Sequence, residues 1–109
     1  MANHDFGIMM DDPQQGENYN HYEPWKYDCI AVDDDDLENI VDRFFSMDFY
    51  WGTLSVKDKG LNYYETTLIP PYQLKTFIER IADVPEMSEL KKLLEKALNE
   101  NKWVIHYGV

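Results

Sequence analysis

A chain of 109 residues has room for one domain and one core, and a formal charge of −11 argues against nucleic acid or an anionic membrane surface as its partner. The composition is 44% hydrophobic, enough for a core without staples, and the single cysteine excludes an internal disulfide and fits a reducing compartment. No apolar run approaches the roughly 20 residues of a membrane span, and the N-terminus lacks the basic and apolar regions of a secretory leader, so the expected setting is cytoplasmic.

The charge is unevenly placed. Residues 1–50 hold 13 of the 21 acids and only two bases, Lys26 and Arg43, so the whole excess of −11 lies there; residues 51–109 hold eight of each sign. A field of one sign concentrated on one region favours a basic protein partner or a cation.

In chain order, Phe6–Met10 is a short apolar run with the character of an edge strand. Asp11–Pro24 is rich in Asn, Gln, Asp, Gly and Pro and marks a loop. Residues 1–24 therefore form a loop-rich N-terminal segment, and 25–109 an α+β domain. Tyr27–Val32 is apolar on both faces, which predicts a central strand covered on both sides, with Cys29 buried within it. After Asp33–Asp36, the residues Leu37, Ile40, Val41, Phe44 and Phe45 repeat at helical spacing and predict a helix over 34–47.

Residues 49–56 and 61–69 are rich in aromatic and β-branched side chains and predict a hairpin whose turn is Lys57–Gly60. Pro70 and Pro71 open a second helix over 72–83, with Leu74, Phe77, Ile78 and Ile81 on its apolar stripe. Pro85 starts a third over 86–100, carrying Met87, Leu90, Leu94, Ala97 and Leu98. Residues 103–108 alternate, with Trp103, Ile105 and Tyr107 on one face and His106 on the other, where it is expected to be half exposed. The sum is a single small α+β domain, an antiparallel or mixed sheet of about four to five strands with three helices in the order (β)βαββααβ.

The chemistry-bearing residues are sparse. Asp33–Asp36 fails the calcium-loop pattern, because the sixth position from Asp33 is Glu38 where glycine is needed and the twelfth is Phe44 where glutamate is needed. The run instead reads as a helix N-cap followed by first-turn acids facing the positive end of the helix dipole. Cys29 beside Asp28 lacks the electropositive setting of a nucleophile. The three histidines show no metal-ligand spacing, the serines no hydrolase elbow, and the five glycines no phosphate loop. No catalytic residue, cofactor site or metal site is expected.

The remaining signal is aromatic. Eight tyrosines are hard to hide in one small core, because each buried hydroxyl needs a partner. Neighbours on a strand point to opposite faces, which separates Tyr50 from Phe49 and Trp51, and Tyr63 from Tyr64. The outward aromatics Trp25, Tyr50 and Tyr64, with the acids Asp11, Asp12, Glu17, Glu23, Asp34 and Asp35, form the expected partner surface. The leading expectation is a non-enzymatic inhibitor or immunity-type protein that neutralises a basic protein. The alternatives are a small-ligand or metal-binding domain, enzymatic or not, with a pocket between helix and sheet, and a homo-oligomer, such as a homodimer, built on its aromatic hairpin.

Overall fold

The computed structural model describes residues 2–109. Six strands, β1 (Asn3–Ile8), β2 (Ile30–Asp33), β3 (Asp48–Trp51), β4 (Lys57–Lys59), β5 (Thr66–Ile69) and β6 (Val104–Tyr107), make one antiparallel sheet ordered β2-β1-β6-β5-β3-β4. Three α-helices, α1 (Asp34–Glu38), α2 (Pro71–Ile81) and α3 (Ser88–Glu100), complete an α+β domain. The N-terminal strand β1 sits between β2 and β6, so the first residues of the chain pair with the last ones.

The helix-covered face holds the main core. Phe6, Phe49, Ile69 and Val104 of the sheet meet Leu74, Phe77, Leu90 and Leu94 of the helices, all essentially inaccessible to water. Phe44 stacks on Phe77 at 4.4 Å between centroids, a pair worth about 0.5–1.5 kcal/mol beyond its buried area. α2 starts at Pro71, where a missing N–H costs nothing, and α3 ends at Asn101, whose left-handed backbone (φ +54°) turns its N–H back onto Ala97 and Leu98. The other face is covered by the segment between β1 and β2. Met9, Leu68, Ile105 and Tyr107 form a second, smaller core there, overlaid by Tyr19 and Tyr27.

Several expectations change. There are six strands, not four or five, because Lys57–Lys59 is a strand itself: β4 turns back along β3 from Gly52, whose φ of +72° makes the reversal. The expected hairpin arms do pair, as β3 with β5, but β4 lies in the connection between them. Residues 61–65 are loop, so Tyr63 and Tyr64 are not strand neighbours. The expected helix over 34–47 breaks after Glu38 into a separate 3-10 turn, Val41–Phe44. That break still buries Leu37, Ile40 and Phe44, leaves Phe45 exposed, and points the Arg43 guanidinium at the Arg80 carbonyl (3.0 Å). The strand expected at the edge over Phe6–Met10 is β1, which ends at Ile8 and lies inside the sheet between β2 and β6. β2 is the edge, not a central strand, since β1 is its sole partner.

Candidate functional site

The acids of the N-terminal loop come together. Asp11, Asp12 and Glu17 line one groove of about 610 Å³ with Met9, Tyr19, Tyr27 and one base, Lys26. Tyr19 is held there by its amide, which donates to the Gly52 carbonyl at 2.6 Å. Glu23 is not free, because Lys26 binds it at 2.9 Å. Trp25, on the 3-10 turn Pro24–Lys26, is 73% exposed. This is far more exposure than a core role needs, and it suits an interface anchor.

The other acids lie at the far end of β1. Asn3 pairs with Asp33, whereas Ile8 leads into Asp11, so the two groups are separated by a strand roughly 17 Å long. Asp33 caps α1, its carboxylate accepting from the Asp35 N–H at 2.8 Å, an interaction worth about 1 kcal/mol. Asp34, Asp35 and Asp36 fill the first turn, as the sequence implies. Loss of hydration, then the neighbouring Asp33, Glu86 and Asp35, push the Asp36 carboxyl above its ordinary range. Tyr64 stands 75% exposed beside this end, its ring 5.3 Å from that of Tyr63. Tyr50 does not join either group; it is half-buried against Trp103 on the second face.

Asp34 has an internal role that the sequence concealed. Its carboxylate accepts from the Tyr63 hydroxyl and bonds His4 Nε2 at 2.9 Å. His4 Nδ1 meets His106 Nε2 at 2.8 Å, and His106 Nδ1 meets Thr67 Oγ1 at 3.1 Å. Thr67 Oγ1 in turn accepts from the Asn62 N–H at 2.8 Å. With Asp34 ionised and both rings neutral, only one proton order satisfies this chain: Thr67 O–H donates to His106, His106 Nε2–H to His4, and His4 Nε2–H to Asp34. His106 is therefore not the half-exposed residue expected: β1 and β5 flank it, and His4, Phe6 and Thr67 close on its ring, leaving it fully buried. Tyr63 and His4 hold the Asp34 carboxyl below the usual carboxylate range, while burial drives His106 well below the ordinary imidazole value.

The chain resembles a relay in its connectivity, but His4, His106 and Thr67 are all 0% exposed, so no substrate atom reaches their polar groups. Its physical work is to tie β1, β5, β6 and the start of α1 through satisfied polar contacts. No sequence rule would have found it, because His4 and His106 lie 102 positions apart. Cys29 is half-buried just before β2, not within a central strand; burial, then Asp5 and Asp28, push its thiol up to about 12.

For metal, Asp34, Asp35 and Glu38 bring one oxygen each within 4.8 Å of one another. Asp34 already serves His4 and Tyr63, which leaves the exposed carboxylates of Asp35 and Glu38. Among the described residues, no helix is long and apolar enough to cross a membrane. The chain matches no family model, no curated protein and no solved structure.

Proposed function

We propose that this protein is a non-enzymatic binding module that recognises, and neutralises, a basic protein partner in the manner of an inhibitor or immunity protein. The observation that supports this reading is the state of its carboxylates. Among the described residues, Asp11, Asp12 and Glu17 on the loop groove, and Asp33, Asp35 and Asp36 at α1, have no lysine or arginine nitrogen within 4.0 Å. The two bases of the acidic half are spent internally, Lys26 on Glu23 and Arg43 on Asp83. Unpaired like charges cost stability through self-repulsion, a cost that a cationic partner removes on binding. Such a field steers encounter, while Trp25 and Tyr64 supply desolvated contact.

The test is capture of partners at low and high salt, their identification, and kinetics with the one retained. Reversing Asp11, Asp12, Glu17 and Asp35 to Lys is expected to slow association about tenfold at low salt, and Trp25→Ala to raise the dissociation rate. A partner that is acidic or neutral, or binding indifferent to salt and to these reversals, overturns the reading.

A further inference from the structure

The sheet has two edges, and they are built differently. The β4 edge carries Lys57, Asp58 and Lys59, all exposed, with Lys59 bound to Asp48 at 2.6 Å. Charged side chains on a strand of three residues protect an edge against pairing. The β2 edge carries one charged residue, Asp33 at its end, and Ala31 within it is small and exposed.

Hydrogen-bond alternation fixes what that edge offers. The Asp34 N–H donates to the Ala2 carbonyl at 3.1 Å on the β2 side of β1, and the Met9 N–H donates to the Trp103 carbonyl at 2.9 Å on the β6 side. Even-numbered residues of β1 therefore bond toward β2 and odd-numbered ones toward β6. Opposite them, Val32 and Ile30 bond inward, so Ala31 turns its N–H and C=O outward, and Asp33 its N–H. Alongside the start of β2 lies a cavity of about 500 Å³ with Ile8, Ile30 and Leu93 in its lining, where apolar side chains of an added strand find contact, and with Lys26, Lys92 and Lys96 beside Asp28, Glu89 and Glu100. The cavity end of β2 is of mixed charge, whereas Asp33, Asp35 and Asp36 at the other end have no cationic partner among the described residues.

We propose that the open edge of β2 takes an extended segment of the basic partner as a seventh strand, apolar at alternate positions and carrying Lys or Arg at the end that meets Asp33, Asp35 and Asp36. The inference rests on the reading of this protein as a binder of basic proteins and specifies how it binds. Main-chain pairing with Ala31 and Asp33 supplies the register, the cavity takes alternate side chains, and Asp33, Asp35 and Asp36 select a cationic end.

The probe is a fluorescent peptide, Lys-Arg-Val-Thr-Ile-Thr-Arg-Lys, compared with the same peptide N-methylated at alternate amides. The unmodified peptide is expected to bind and to slow amide exchange of Ala31 and Asp33 at least about tenfold. N-methylation, or Ala31→Pro in the protein, is expected to weaken binding about tenfold. Ala31→Pro removes only an outward N–H, and the N-methylated peptide leaves the protein untouched, so a misfolded variant cannot imitate the result. Binding that is salt-sensitive but indifferent to both changes overturns strand addition and leaves the general reading standing. No binding of the peptide also overturns it, as does a dimer in sedimentation that Ala31→Pro disperses, which would give the edge to a second copy.

Discussion

His4 and His106 share a hydrogen bond of 2.8 Å between Nδ1 and Nε2, inside the core and 102 positions apart in the chain. Each ring nitrogen of the pair has a partner, and among the described residues no buried side-chain polar atom is left without one. Removing either ring strands its neighbour. His4→Leu and His106→Leu are each expected to cost about 1–3 kcal/mol, and the double variant less than their sum, with a coupling of about 0.5–3 kcal/mol. Urea denaturation of the four proteins measures this. Strict additivity would mean the two rings do not depend on each other.

The same chain predicts acid sensitivity. His106 is held neutral in the fold with its pKa well below the ordinary value of about 6.5, which the unfolded state retains. The unfolded chain therefore binds a proton that the folded one refuses. Stability is full above pH about 6.5 and falls below it by up to about 1.4 kcal/mol per pH unit. Asp34 acts in the same sense at lower pH: its lowered carboxyl stabilises the fold above about pH 4, and that contribution is lost as pH falls through the folded value. A flat stability profile between about pH 6.5 and 5, or a slope unchanged in His106→Asn, would remove His106 as the source.

Cys29 is expected to be a poor nucleophile. Its thiol, pushed up to about 12, is almost wholly protonated at pH 8, so reaction with a disulfide reagent should be at least about tenfold slower than in the urea-unfolded chain. Cys29→Ser should leave partner binding unchanged. Equal rates in the folded and unfolded protein would place an accessible thiolate at that position.

Calcium and magnesium are expected to leave the melting temperature unchanged to within about a degree at matched ionic strength. Asp33 stabilises α1 by capping, which needs no ion. A specific site at 100 times its dissociation constant would add about 2.7 kcal/mol, several degrees in a domain of this size. A shift of that size, abolished by Asp35→Asn with Glu38→Gln, would make the three-carboxylate cluster a metal site.

Periodicity and local chemistry determined much of this protein directly. The stripes Leu74, Phe77, Ile81 and Leu90, Leu94, Ala97 face the core as their spacing requires, Pro71 opens α2, and Asp33 caps α1. These are signals read within one element, where neighbours in sequence are neighbours in space. What tertiary structure alone decided concerns partners distant in sequence. The apolar pattern of Ile30 and Val32 says that a strand is covered, but not that β1 inserts beside β6 and leaves β2 at the edge. Alternation puts His106 opposite Ile105 and Tyr107, but only packing says that both faces of β6 are buried, one by helices and one by the N-terminal loop. The acidic half, one block in sequence, is divided by the length of β1 into a loop groove and a helix end, because an extended strand carries its two ends apart.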